Sequence, residues 1–314
     1  MSWVVSCFCH ETGLPHPGHG PRVGPRDEGD TRGHGCLPPA TVFLARGLLR
    51  VSGMCPFSLA VSLWVAVVGG AAPEPREPLR VMTYNVLYSA SEEDVGRSLD
   101  VIEKEAPDIL CLRELSPRFA HAFRKRLGAK YPHSRLLPRK GTWGMGIASK
   151  HPLARAEPFA QKPHRMPGLE AEVRVGRRRL KVACVHLMAP GARHTKDEDL
   201  FESMAKNAAL REKQGAALVR RYAKEEGPLL LLGDMNEERS GAAMKAFAAA
   251  DLVHACDGKG ADCGSTWPGA TSMLPAVVEI DHILGRKVSL SGAKVLRTGG
   301  SDHYPVRAVL DFPP

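Results

Sequence analysis

The sequence predicts a layered α/β fold whose polar residues collect at strand ends, and three observations carry the prediction. Leu229-Leu230-Leu231-Leu232 has no polar face, so as a strand it needs cover on both sides, and it stops at Gly233-Asp234-Met235-Asn236. A second apolar run, Asp108-Ile109-Leu110-Cys111-Leu112-Arg113-Glu114, also finishes in charge and follows a stretch of helical periodicity. Residues 169–175 and 179–187 alternate or run apolar around the tight Gly176-Arg177-Arg178 turn, the pattern of a hairpin. Strand ends in such folds open onto binding crevices, so a carboxylate and a carboxamide at 234 and 236 suit metal and phosphate chemistry. The competing reading makes Asp234 or Asn236 a cap for a following helix over 241–250.

Taken in order, residues 79–87 form a β-rich run that ends Thr83-Tyr84-Asn85-Val86. Residues 92–106 are helical, with acids in the first turn and Pro107 as the stop. The strand 108–114 is followed by a helix over 117–127 and by a strand over 143–149, whose glycines permit close backbone approach. After the hairpin, which ends at His186, a long polar helix over 196–226 crosses back to the leucine strand. Strands over 277–284, 288–297 and 306–312 close the fold. No linker composition interrupts the chain after Pro78, so residues 73–314 read as one domain of roughly 240 residues.

The chain upstream differs. Residues 1–53 are crowded with Gly, Pro, His and Arg and offer no core, which reads as disorder or as an extension upstream of the true start. Residues 54–72 hold a short apolar run preceded by Arg46 and Arg50 and closed by Gly69-Gly70-Ala71-Ala72, the layout of a signal peptide, with translation expected to begin between Arg46 and Met54. An uncleaved membrane anchor over 56–72 is the alternative.

Residues 1–72 contain five Arg and four acids, so residues 73–314 keep 38 basic and 30 acidic side chains, a net charge of +8. Basic clusters at Arg124-Lys125-Arg126, Arg139-Lys140, Arg177-Arg178-Arg179-Lys181 and Arg193-His194-Lys196 point to a phosphate-bearing partner, or to an ordinary basic surface. Four cysteines follow the leader. Cys111 and Cys184 lie in apolar runs and read as small core residues, whereas Cys256 and Cys263 flank a turn-rich loop that a disulfide would close. No Cys/His array argues for zinc.

Six strand ends carry polar groups: Asn85, Glu114, His186, Asp234 with Asn236, Asp281, and Asp302 with His303. Any one of them has a structural explanation; together they form a set with a division of labour. Carboxylate oxygen suits a hard cation that also holds phosphate. A His paired with an Asp can act as a base or stabilise charge.

In this order, Thr83-Tyr84-Asn85-Val86, Leu112-Arg113-Glu114, Gly144-Met145-Gly146-Ile147-Ala148-Ser149, Val185-His186-Leu187, Gly233-Asp234-Met235-Asn236, Ile280-Asp281-His282-Ile283 and Ser301-Asp302-His303-Tyr304-Pro305-Val306 resemble the endonuclease/exonuclease/phosphatase superfamily over residues 80–311. The resemblance implies a four-layer α-β-β-α sandwich, two packed mixed sheets with helices outside, and a Mg²⁺-dependent phosphoesterase site, with Mn²⁺ as a substitute. It implies Glu114 as the metal ligand, with Asn85 and Asp302 beside the metal and Asn85 also orienting phosphate. Asp234 and Asn236 match the pair that aligns water and holds phosphate, His303 the histidine near the phosphate, Asp281 its carboxylate partner, and His186 a further phosphate-binding histidine. Asp234 and His303 are both candidates for the base.

Two departures qualify the match. The residue before the metal-binding Glu is usually Gln and here is Arg113, which could contact a phosphate or pair with an acid. AP endonucleases carry a Tyr-x-Pro-Asn segment where this chain has Val185-His186-Leu187-Met188, and an Asp where it has Leu87. The histidine form is similar to secreted deoxyribonucleases, sphingomyelinases and inositol-phosphate phosphatases.

The expectation is therefore a monomeric, exported, endonuclease-like phosphodiesterase with no obligate protein partner. A phospholipid-headgroup phosphoesterase of sphingomyelinase or phosphoinositide type is the alternative. For that alternative, Met273-Leu274-Pro275-Ala276-Val277 near Trp267 could face a membrane, although the burial preference of these side chains places them in the core. A catalytically inactive phosphate-binding protein ranks lower, because every expected position keeps a chemically competent residue.

Overall fold

The computed structural model describes residues 77–313 apart from 160–162, 164, 165, 193 and 196; the readings made for residues 1–72 lie outside the described residues. Strand β1 (Leu79–Asn85) leads through helix α1 (Glu92–Glu105) to the parallel strand β2 (Ile109–Arg113). Ser91 caps α1 by accepting from the Asp94 N–H, and Glu92, Glu93 and Asp94 sit at the positive end of the helix dipole. Pro107 then blocks continuation, and Ala106 turns the chain in a left-handed conformation. Helix α2 (Pro117–Leu127) begins at a Ser116 cap with Pro in its first turn.

Next come β3 (His133–Leu137), β4 (Met145–Ser149), β5 (Leu153–Phe159), β6 (Gly168–Val175) and β7 (Arg178–His186). Helix α3 (Leu200–Arg221) carries the chain to β8 (Leu229–Asp234), parallel to β7. Helix α4 (Ala242–Ala249), β9 (Val253–His254), β10 (Asp281–Arg286), β11 (Ser289–Val295) and β12 (Val306–Asp311) complete the order.

Among the described residues, two six-stranded mixed sheets form, ordered β11-β12-β1-β2-β4-β3 and β5-β6-β7-β8-β10-β9. Each has one parallel pair at its centre, β1/β2 and β7/β8, joined by a helical crossover. Side-chain alternation explains the layers. Ile109 and Cys111 meet Leu230, Leu232, Val182 and Cys184 between the sheets. Met82, Leu110 and Leu112 pack outward on Leu99 and Ile102 of α1 and on Phe119 and Phe123 of α2. Leu229 and Leu231 pack outward on Leu218 of α3 and Phe247 of α4. The four consecutive leucines thus split two and two between layers, and the architecture is the expected α-β-β-α sandwich.

Several expectations need correction. Cys111 and Cys184 are not free core thiols: they form a disulfide joining β2 to β7 across the two sheets. Each lies at an inward position of its own strand, a juxtaposition set by sheet packing over a separation of 73 residues. The bridge between Cys256 and Cys263 forms as expected. The strand expected over 277–284 starts only at Asp281, and the residues before it belong to a loop whose base is closed by a bridge between Trp267 and Val278. On that loop Met273 is 102 % exposed and Leu274 69 %, so these side chains are not core. The strands β3, β5 and β9, which the sequence reading omits, flank the sheets' margins, β3 and β5 as outermost strands with charged, half-exposed residues and Pro158 in β5. Asp234 does not cap α4; Gly241 occupies that position and the Glu237 carboxylate accepts from the N–H groups of Ala242 and Ala243, each at 3.0 Å.

Strand β1 pairs antiparallel with β12, Leu79 opposite Leu310. Since Asn85 marks the end of β1 where polar residues gather, both termini of the described unit leave from the opposite end of the sandwich.

Candidate active site

The two parallel pairs place their carboxyl ends at the same end of the sandwich. In one sheet Asn85 lies in register with Arg113, and Glu114 follows immediately. In the other, His186 lies in register with Asp234, which is itself opposite Asp281. His303 arrives on the loop before β12.

Asp234 is the meeting point. Its Oδ2 accepts from Asn85 Nδ2 at 3.1 Å and faces His186 Nε2 at 3.3 Å and His303 Nε2 at 3.7 Å. Its Oδ1 accepts from the Asn236 N–H at 3.0 Å. Asn85 Nδ2 also donates to Glu114 Oε1 at 3.1 Å, and the Tyr88 N–H donates to Glu114 Oε2 at 3.3 Å. Glu114 and Asn236 both adopt left-handed backbone, φ 54° and 50°, which a non-glycine residue accepts only at a cost. Asn tolerates this conformation better than Glu does; at Glu114 it ends the strand and turns the carboxylate to the cavity wall.

His303 Nδ1 donates to Asp281 Oδ2 at 2.7 Å, and Arg113 donates to Asp281 Oδ1 at 2.7 Å. Arg113 therefore pairs with an acid. It also donates to the Thr83 hydroxyl, and is wholly buried. Thr266 Oγ1, which the sequence reading did not single out, accepts from the Asp281 N–H at 3.2 Å. Ser301, also missed although it stands in the Ser301-Asp302-His303 segment, donates to the Asn85 carbonyl at 2.7 Å and accepts from the His303 N–H at 3.2 Å. No sequence pattern separates such a hydroxyl from a surface serine; its burial does.

Burial resists charging His303, but Asp281 and Asp234 outweigh it and hold the imidazolium well above the ordinary histidine range. Burial likewise opposes the Asp281 carboxylate, and His303 with Arg113 overcomes it, so Asp281 stays ionised far into acid. His186 behaves oppositely: burial lowers its pKa, with Asp234 only partly compensating, and its Nδ1 is buried without a partner.

Glu114, His186, Asp234, Asn236 and His303 line a cavity of about 950 Å³. Asp302 is outside that lining; Ser301 Oγ, 3.4 Å from its Oδ1, ties it to the Asn85 backbone. Ligating atoms of Asp234, Asp281 and His303 lie within 4.8 Å of one another. Both Asp281 oxygens, however, are ion-paired, to Arg113 and to His303, whereas the Glu114 oxygens accept only from the uncharged Asn85 Nδ2 and the Tyr88 N–H. The oxygen donors of Glu114 and Asn85, with no sulfur ligand, fit a hard divalent cation better. The cavity walls above are apolar: Trp143, Met166, Met188, Pro190, Met204 and Trp267.

The family model of the Endonuclease/Exonuclease/phosphatase family matches residues 82–303. No curated protein matches the chain in sequence. Among solved structures the fold is similar to TDP2 of D. rerio complexed with a single-strand DNA product, with TM-score 0.58 and 17 % identity over 75 % of this chain and 100 % of that one. Sphingomyelinase C from Streptomyces griseocarneus gives TM-score 0.53 and 17 % identity over 74 % and 99 %. The human Nocturnin catalytic domain with bound sulfate gives 0.56 and 21 % over 76 % and 96 %. At these identities the likeness is one of fold.

Proposed function

The chain belongs to the endonuclease/exonuclease/phosphatase family, and from that premise we propose that it hydrolyses a phosphodiester by in-line attack of water, with Mg²⁺, or Mn²⁺ in its place, as cofactor. The observation that carries this reading is the convergence of Asn85, His186 and His303 on one carboxylate, Asp234, beside Glu114. A cation held by Glu114 and Asn85 would offset charge on the phosphoryl oxygens. The residues themselves divide the remaining tasks. His303, kept protonated by Asp281, faces the cavity as a donor to phosphoryl or leaving-group oxygen. That leaves Asp234 as the group to take the proton of the attacking water while the phosphorus–oxygen bond to the leaving group breaks. Neutral His186 and Asn236 orient the phosphate.

Charge alone favours nucleic acid as substrate, but the placement of that charge weakens the argument. The β6–β7 turn and the last turn of α2 carry Arg177 to Arg179 and Arg124 to Arg126 at the end away from the site, and Arg126 is spent on Asp100 and Glu103. Arg139 and Lys140 lie at the site end after β3; Arg193 and Lys196 are outside the described residues. By contrast, exposed Trp143 and Trp267 line the cavity, exposed Met273, Leu274 and Val277 lie on the loop between the lining residues Trp267 and Val278, and exposed Phe201 stands one turn before the lining residue Met204 on α3. This specific observation supports the second reading, a phospholipid headgroup presented at a membrane surface. Export is supported by the disulfides that use all four cysteines among the described residues; no helix among those residues is long and apolar enough to cross a membrane.

Purified full-length chain assayed with Mg²⁺, Mn²⁺ or EDTA on plasmid DNA, RNA, bis(4-nitrophenyl) phosphate and vesicles of sphingomyelin or phosphoinositide tests both readings. Absence of metal-dependent turnover on every substrate would sink the hydrolase proposal. The lipid reading expects Met273→Ser with Leu274→Ser to cut vesicle turnover at least about tenfold, roughly the transfer free energy of one such side chain, while soluble-ester turnover stays unchanged.

A further inference from the structure

Arg113 is the largest wholly buried side chain of the described unit. On β2 it continues the inward series Ile109, Cys111, Arg113, so it occupies a position where the inter-sheet core would otherwise extend. A buried guanidinium is expensive to desolvate, and an apolar side chain there would serve packing better. Its contacts show where the charge is directed. It reaches across to the other sheet to donate to Asp281 Oδ1 at 2.7 Å, donates to the Thr83 hydroxyl on its own sheet, and lies 3.4 Å from Cys111 Sγ. With Oδ1 occupied, Asp281 presents only Oδ2 to His303 Nδ1, at 2.7 Å, and the opposite ring nitrogen of His303 is thereby turned to Asp234 and the cavity.

We propose that Arg113 is a positioning residue that locks the Asp281 carboxylate across the sheets, so that the His303 imidazolium is held in one ring orientation at the phosphate site. The proposal rests on the hydrolase reading for its kinetic consequence alone; the geometry it asserts can be measured without turnover. An amide such as the family's usual Gln is too short and uncharged to reproduce both contacts. Freed from Arg113, Asp281 can rotate and offer either oxygen to His303.

The test compares Arg113→Gln, Arg113→Lys and Thr83→Val, each alone and with Asp281→Asn. With bis(4-nitrophenyl) phosphate as substrate, Arg113→Gln is expected to lower kcat about 10- to 100-fold, the usual size for an oriented electrostatic group, and to leave KM within about threefold. In the Asp281→Asn background the same substitution should cost less than about threefold, because the carboxylate it orients is gone. Should Arg113→Gln fail to fold, Thr83→Val, which withdraws one acceptor and no charge, is expected to lower kcat a few-fold with KM unchanged. In metal-free protein the ¹H–¹⁵N resonance of His303 Nδ1–H should be resolved in the wild type and lost to exchange in the folded Arg113 or Thr83 variant. Equal kcat losses in both backgrounds, or an unaltered imidazole resonance, overturns the proposal. If the wild type turns over no phosphoester, the hydrolase reading falls, and the resonance still decides the role of Arg113.

Discussion

The two parallel strand pairs are built alike and equipped differently. Both are central, both are joined by a helical crossover, and both end in register at the same end of the sandwich. The β1/β2 pair delivers an amide and a carboxylate, Asn85 and Glu114; the β7/β8 pair delivers an imidazole and a carboxylate, His186 and Asp234. One half is suited to holding a cation, the other to handling protons and phosphate. The proposed mechanism uses both halves, and the contacts that cross between the two sheets, Asn85 to Asp234 and Arg113 to Asp281 of β10, run through the buried seam.

This division can be broken experimentally. The largest effects are expected in the proton-handling half: Asp234→Ala and His303→Ala should each lower kcat by at least about two orders of magnitude. Mn²⁺ affinity, read by calorimetry, should change little in His303→Ala. If both variants turn over at near-normal rates, the site is misplaced. In the cation-holding half, Glu114→Gln should weaken Mn²⁺ binding about 10- to 100-fold, the scale on which metal-site shells respond, and added metal should restore much of the rate. A Glu114→Gln variant with unaltered metal affinity would dissolve the contrast.

The smallest effect comes from the other face of β10 and concerns stability. His254 Nε2 meets His282 Nδ1 at 2.8 Å, His282 Nε2 reaches the Glu237 carbonyl at 2.9 Å, and His254 Nδ1 accepts from the Cys256 N–H. Burial, then the neighbouring His282 and Arg239, push the His254 pKa down to about 3. Its folded pKa is lower than its unfolded one, so the unfolded chain binds the proton more tightly. Stability is therefore full above about pH 6.5 and falls as the pH drops toward the folded pKa. Between pH 6.5 and 5 the loss should reach about 2 kcal/mol in urea unfolding. In His254→Gln that acid sensitivity should shrink; an undiminished pH dependence would assign it elsewhere.

Legibility in the sequence followed burial. The central strands were readable because cover on both faces demands unbroken apolar runs, and their ends were readable because Asn85, Glu114, His186 and Asp234 interrupt those runs abruptly. The strands β3 and β5 escaped because an outermost strand with solvent on one side tolerates residues such as Arg135 and Glu157. The Cys111–Cys184 bridge was hidden for another reason: each cysteine looked apolar in its own strand, and only the stacking of one sheet on the other brings them together. Met273 and Leu274 misled in the opposite sense, since hydropathy does not reveal that a loop stands open beside a cavity. Arg113 was visible as a departure from the family pattern, but its partner was 168 residues away in another sheet.

The pairing of Leu79 with Leu310 has a practical corollary. Neighbouring strands lie about 5 Å apart, so in a chain trimmed to residues 77–313 a few glycines could join those two residues, and the chain could be reopened elsewhere as a circular permutant. A carrier, bead or fluorophore attached at residue 77 or 313 of a chain trimmed to the described unit would sit a strand's length, roughly 20 Å, from Asp234, leaving the cavity mouth turned toward the bulk solution.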